Sequence, residues 1–263
     1  MLLYQFAQNA LIGIILIAPL LGLLSTFVVS NKMAYFADGL SHSAFTGIAI
    51  GVILNLPYQM PALVIFAVIF ALLMVYIKQK NNASMDTVIG VLSATSLAIG
   101  IMIMSRGNNF AKYSNYLIGD LLAITKPEII ALGIILVATI LIYGILFNSL
   151  TLSGLGKNWT LNKKIKSNVA EIYFTIALAV IVAVSIRWVG ILLINSLLIL
   201  PAATGRLIAK SAKQYVWLSV ALSLAAGIIG LIASFRWNTS SGATIVLILA
   251  IIYFMLSIFR KRH

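Results

Sequence analysis

Ala10-Leu11-Ile12-Gly13-Ile14-Ile15-Leu16-Ile17-Ala18-Pro19-Leu20-Leu21-Gly22-Leu23-Leu24-Ser25-Thr26-Phe27-Val28-Val29-Ser30 contains no charged side chain. As a helix rising about 1.5 Å per residue it would cover about 31 Å, close to the roughly 30 Å of a bilayer's hydrocarbon core. Similar apolar stretches run from 33 to 54, 61 to 77, 87 to 104, 128 to 147, 169 to 186, 189 to 208, 215 to 233 and 243 to 259, the second and seventh of the nine being the weakest. The whole chain repeats this bias. Of its 263 residues 62% are hydrophobic and 9% charged, with a mean hydropathy of +1.10. A soluble domain carries about 25% charged residues and could not bury so much apolar surface. The sequence therefore predicts an all-α polytopic membrane bundle of eight or nine transmembrane helices, organised as one transmembrane domain over residues 1–263, with lipid solvating its outside.

Charge sets the orientation. The 18 Lys and Arg against five Asp and Glu give a net charge of +13, but the basic residues lie between apolar segments and not on one face. This reads as topology and attraction to anionic lipid, and no nucleic-acid partner is expected. With Thr151 to Asn168 placed in the cytoplasm, because it holds Lys157, Lys163, Lys164 and Lys166, alternating helices put thirteen basic residues inside and five outside. The N-terminus is then outside and the C-terminus cytoplasmic, in a cell (inner or plasma) membrane. The start of the chain lacks the basic residues and cleavage site of a signal peptide, so the first apolar segment is expected to stay as a helix.

Two connections are long enough to carry structure of their own. Residues 105–126 form an extracytoplasmic segment whose Tyr113, Tyr116, Leu117, Ile118, Leu121 and Leu122 suit an interfacial helix or re-entrant cap. Residues 151–168 form a cytoplasmic segment in which Gly156-Lys157-Asn158-Trp159-Thr160-Leu161 suits a short helix lying across the membrane face, with an ordinary basic loop as the alternative.

The acidic residues are Asp38, Asp86, Asp120, Glu128 and Glu171. Asp86, Glu128 and Glu171 fall at predicted helix starts, where a carboxylate complements the helix dipole. Asp38 falls inside an apolar segment, where a charge costs about 3 kcal/mol at mid-bilayer and marks a functional site by default. His42 follows four residues later in Asp38-Gly39-Leu40-Ser41-His42, on the same helix face, and the only other histidine is His263. Counted from Lys32, His42 lies about 15 Å into the bilayer. The pair can share a divalent ion, relay a proton, or simply satisfy itself by a hydrogen bond. Gly47 and Gly51 form a GxxxG spacing that suits close helix packing. With no cysteine, any metal ligand must be oxygen or imidazole nitrogen, which argues against Cu(I).

Met33-Ala34-Tyr35-Phe36-Ala37-Asp38-Gly39-Leu40-Ser41-His42-Ser43-Ala44-Phe45-Thr46-Gly47 resembles the signature of the zinc- and manganese-type metal ABC transporter permeases, the ZnuB-like family. Tyr116 to Ala123, Val189 to Arg206 and Ser241 to Leu247 resemble later blocks of that family in the same order. The resemblance implies a homodimeric permease that works with a cytoplasmic ABC ATPase and an extracytoplasmic metal-binding protein. It further implies Asp38 and His42 as transient metal ligands, Asp120 as a gate or guide in the outward cap, and Gly156 to Leu161 as the ATPase-coupling element. Two departures stand out. The family's Asp-x-Pro-Ser-Gly run before the last helix reads Asn238-Thr239-Ser240-Ser241-Gly242, which makes Asn238 a candidate outer site without its carboxylate, and Lys163-Lys164 stand where the family has a small residue.

The chain is expected to be a transport subunit and not an enzyme. Gly154-Leu155-Gly156-Lys157-Asn158 lacks the first glycine and the Ser or Thr of a phosphate loop, so ATP hydrolysis falls to a separate chain. No permanently bound cofactor is expected, only transported Zn²⁺ or Mn²⁺, with zinc preferred. A proton-coupled secondary metal transporter is the alternative.

Overall fold

The computed structural model describes residues 4–56, 58–80, 85–106, 121–154 and 164–259. Among them the chain forms nine α-helices and no strand. These are α1 (Gln5–Ser30), α2 (Ala34–Ile53), α3 (Met60–Lys80), α4 (Met85–Arg106), α5 (Lys126–Gly154), α6 (Lys164–Val189), α7 (Ile191–Ile208), α8 (Ala212–Trp237) and α9 (Ser241–Phe259), with a 3-10 turn at Leu121–Ala123 before α5. Every apolar segment read from the sequence is one of these helices, the two weakest included. Seven are long and apolar enough over their described residues to cross a membrane. The other two, α5 and α6, have 29 and 26 residues.

Aromatic residues mark the membrane boundaries. Trp217 and Trp237 are 74% and 69% exposed near the two ends of α8. Twenty residues of helix separate them by about 30 Å, the thickness of the apolar core, the spacing expected of an aromatic belt at each interface. Apolar side chains between such belts remain exposed because lipid, not protein, solvates them: Leu247, Phe254 and Ile258 on α9 and Val91 and Met102 on α4 are all open.

The short connections are built from left-handed residues. α1 ends in a Schellman turn with Lys32 at φ 56°, where Met33 N–H donates to Val28 O at 2.7 Å and Lys32 N–H to Val29 O at 3.3 Å. α2 ends the same way with Asn55 at φ 49°, Leu56 N–H donating to Gly51 O at 3.1 Å. Between α6 and α7 a single residue, Gly190, turns the chain at φ 80° and ψ 157°, a conformation open to glycine.

The chain divides into two compact units. In the first, α1 packs on α7 and α8, and α7, α8 and α9 pack on one another. Small residues let these helices close up. A methyl group on Gly22 would stand 2.8 Å from Ser223 Cβ, and one on Gly230 would stand 2.5 Å from Ile245 Cγ1. The Ser223 hydroxyl donates across the seam to Ala18 O at 2.5 Å, and Tyr215 reaches Thr26 O at 3.5 Å. The end of the expected outer cap also belongs here. Leu121 and Ile124 are buried, Asn9 donates to Ile124 O at 3.2 Å, and Ile124 Cδ1 fills the space beside Gly13.

The second unit contains α2 from Tyr35, α3, α4, α5 from Ile142 and α6 up to Arg187. α2 runs antiparallel to α3, with Gly47 against Leu63 and Phe66, and Gly51 against Ala62 and Gln59. It runs parallel to α4, with Gly39 beside Ile89 and Ser93, and Thr46 beside Ser96 and Gly100.

Two boundaries differ from the sequence reading. α5 continues to Gly154 and α6 begins at Lys164, so both helices run past their apolar stretches. Hydropathy marks where lipid ends, whereas a helix in water keeps its own hydrogen bonds and need not stop there. Glu171 is therefore the eighth residue of α6 and not at its start. Glu128 does cap its helix: its carboxylate accepts from Thr125 N–H and from the Thr125 hydroxyl, each at 2.8 Å, the side-chain-to-N-cap half of a capping box.

Candidate metal-transfer site

Among the seven helices long and apolar enough to cross a membrane, α2 is the most buried and the least apolar, with 72% of its span buried and a hydropathy of 1.2. Two of its buried hydroxyls are satisfied locally: Ser41 donates to Ala37 O and Ser43 to Leu40 O, each at 2.8 Å. A stripe of Tyr35, Asp38 and His42 stays open along one side, at the i, i+3, i+7 spacing of a helix face. Tyr35 is 60% exposed, and the side chains of Asp38 and His42 are 49% and 41% exposed. Leu40, Ala44, Phe45 and Ile48 on the same helix are completely buried, whereas the side chains of Asp38 and His42 stay half open.

His42 Nε2 and Asp38 Oδ1 stand 3.4 Å apart. That is wide for an N–H···O hydrogen bond, which prefers about 2.7–3.2 Å. It matches two donors of one ion: with bonds of about 2.0–2.1 Å, ligands at a tetrahedral angle are about 3.3 Å apart. Among the described residues no group of three or more His, Cys, Asp or Glu occurs. Among the described residues this stripe offers one carboxylate and one imidazole.

The other residues singled out in the sequence have different standing. Asp120 lies outside the described residues, and so do Gly156, Lys157, Asn158, Trp159, Thr160 and Leu161. Asn238 belongs to the first unit, where it ends α8 in the left-handed conformation at φ 55° and ψ 42°, its N–H and that of Thr239 both turned to Ser234 O. Asparagine is one of the few residues at ease there. Thr46 and Ser96, joined across the α2–α4 seam one turn beyond His42, are not legible as site residues in the sequence. Nothing in a linear pattern pairs hydroxyls fifty positions apart.

Comparison with known proteins places this arrangement. The model of the ABC 3 transport family matches residues 3–260. The chain is 34% identical over 264 residues to the high-affinity zinc uptake system membrane protein ZnuB of Haemophilus influenzae, covering 99% of both chains. It is 31% identical to the manganese import system permease protein ScaB of Streptococcus gordonii, covering 95% of this chain and 90% of that one. Among solved structures, PsaBC from Streptococcus pneumoniae in complex with Fab superposes with a TM-score of 0.84 at 27% identity, over 96% of this chain and 91% of that one. A family match over nearly the full length, together with the same helical fold, establishes that the chain belongs to the ABC 3 transport family.

Proposed function

We propose that this chain is the transmembrane permease of an ATP-driven importer of a divalent transition metal, Zn²⁺ in the first place and Mn²⁺ in the second. The observation that carries the reading is the Asp38–His42 pair, 3.4 Å apart on the open stripe of a helix otherwise buried. Relatives named for zinc uptake and for manganese import support the cargo class. Oxygen plus imidazole suits both ions, and zinc is placed first on the likeness to a zinc uptake protein at 34% identity over 99% of both chains.

A transport site must replace water on the ion and still release it. Two ligands per chain serve that purpose better than a closed set of four. A second copy presenting its own stripe across a dimeric pore would give the ion two carboxylates and two imidazoles, reached and left in turn. Residues 1–263 act as one permease domain, with the N-terminus outside and the C-terminus cytoplasmic. A binding protein delivers the ion to an outer mouth that includes Asp120 and Asn238. A cytoplasmic ATPase, a separate chain, engages Gly156 to Leu161 and drives the cycle.

The test is reconstitution of the permease with its ATPase and binding protein in liposomes. Zn²⁺ or Mn²⁺ should accumulate only while ATP is hydrolysed. Accumulation driven by a proton gradient without the ATPase would replace this reading with a proton-coupled carrier, and no accumulation of either ion under any condition would end the metal reading.

A further inference from the structure

Asp38 and His42 are useful only if α2 keeps their stripe turned toward the pathway, and the second unit holds α2 at two heights, one on each side of His42. Three residues before it, Gly39 rests against α4 and α3: a methyl group there would stand 2.8 Å from Ile89 Cγ2 and 3.2 Å from Met74 Cε. One turn after it, the Thr46 hydroxyl donates to the backbone carbonyl of Ser96, and Ser96 Oγ returns a hydrogen bond to Thr46 Oγ1 at 3.1 Å. Both residues are buried.

A carbonyl inside a helix is normally shielded by the side chain four residues on. Here that residue is Gly100. A methyl group on it would stand 2.8 Å from Thr46 Oγ1 and 3.0 Å from both the Cα and the N of Thr46, so glycine is what lets the hydroxyl and the α2 backbone reach the α4 carbonyl. The contact residues of α4, Ile89, Ser93, Ser96 and Gly100, follow the 4-3-4 spacing of one helix face. On α2, Gly39 and Thr46 are seven residues apart, and both lie about 80–100° around the helix from Asp38. The latch therefore fixes the rotation of α2 about its axis, which is the variable that decides where Asp38 and His42 point.

We infer that Thr46, Ser96 and Gly100 form a positioning latch that sets the rotation of α2 and thereby the metal affinity and selectivity of the Asp38–His42 pair. The inference rests on the metal-import reading. None of the three touches the ion; each acts through the helix that carries the ligands.

The experiment measures Zn²⁺ and Mn²⁺ uptake, singly and in competition, by reconstituted complexes normalised to assembled permease. The proteins are wild type, Thr46→Val, Thr46→Ser, Ser96→Ala and Gly100→Ala, with His42→Ala as the reference for a lost ligand. Thr46→Val removes the hydroxyl at nearly constant shape and should raise the KM for the metal about tenfold, the scale of losing a group that orients a ligand. The Zn²⁺:Mn²⁺ ratio in competition should shift about threefold or more, because two ions of different preferred geometry respond unequally to the same rotation. Thr46→Ser should restore both quantities, and Ser96→Ala, which leaves the carbonyl acceptor in place, should shift them less. Gly100→Ala should match or exceed Thr46→Val; if it does not assemble, the Thr46 and Ser96 variants decide. Wild-type KM and wild-type ratio in Thr46→Val overturn the inference, as does a fall in uptake that is equal for both ions and follows the assembled amount. Failure of the metal reading itself looks different: wild type then transports neither ion, or His42→Ala transports as well as wild type.

Discussion

α1 and α2 bury nearly the same share of their spans, 67% and 72%, yet their hydropathies are 2.6 and 1.2. In the apolar stretch of α1 the buried polar groups Ser25 and Thr26 are hydroxyls that close on the backbone, Ser25 donating to Gly22 O and Thr26 to Leu23 O, each at 2.7 Å. Its packing partner α8 adds another hydroxyl, Ser223, bonded to Ala18 O. Every one of these groups is satisfied inside the protein, so α1 is a pillar. α2 uses the same device for Ser41 and Ser43 but adds an ionisable pair on a side that its unit leaves half open. Depth of packing thus does not separate the two helices. The separation lies in which polar groups stay half exposed.

The largest expected effect tests that separation. Asp38→Asn and His42→Ala should each lower metal uptake by about two orders of magnitude, with assembly unchanged, because half-open side chains are removed and not core. Ser25→Ala and Thr26→Ala in α1 should leave uptake per assembled molecule at the wild-type level. Equal losses from both helices would erase the distinction. Next comes a purely structural lesion. Gly230→Ala places a methyl group 2.5 Å from Ile245 Cγ1 and 2.8 Å from its Cα, an overpacking worth about 1–3 kcal/mol. Denaturation of the purified protein should show the loss, while uptake by the molecules that remain assembled is preserved.

A third prediction fixes which end of α2 faces inward. If residues 155–163 are cytoplasmic, a cysteine at Asn158, placed in a chain that has none, should crosslink to the ATPase and resist impermeant thiol reagents in intact cells. Labelling from outside would invert the topology. The smallest effect is expected at Asn238. Asn238→Asp keeps a residue that tolerates the left-handed conformation, so stability should move by no more than about 0.5 kcal/mol. A carboxylate at the outer mouth should raise uptake without binding protein about twofold. No change with or without binding protein would leave Asn238 as a helix cap alone.

Much of this architecture is legible in the amino-acid sequence alone. A membrane helix must satisfy its backbone internally and present apolar atoms to lipid, so residues 10–30 and the eight later segments declare themselves by composition. Asp38 and His42 declare themselves for the opposite reason, as ionisable groups where charge is costly. Hydropathy cannot read events outside lipid or across the fold. The extension of α5 to Gly154 and of α6 back to Lys164 involves polar residues that carry no apolar signal. The latch joins Thr46 to Ser96 through a backbone carbonyl, and a carbonyl is present at every position. Asn238 shows a third kind of gap. Against the family run that its sequence resembles it reads as a missing carboxylate, while its backbone shows the conformational reason an asparagine is comfortable there.

The claim on which the account turns is that Asp38 and His42 together hold the transported ion. Equilibrium binding of Zn²⁺ and Mn²⁺ to the purified permease, read by competition with a chromophoric chelator, addresses it without the ATPase, the binding protein or the membrane potential. Wild type and Ser25→Ala should show the same saturable binding, and Asp38→Asn and His42→Ala should each weaken it by at least about tenfold, the loss expected when one of few ligands is removed. Equal affinity in all four proteins would contradict the account.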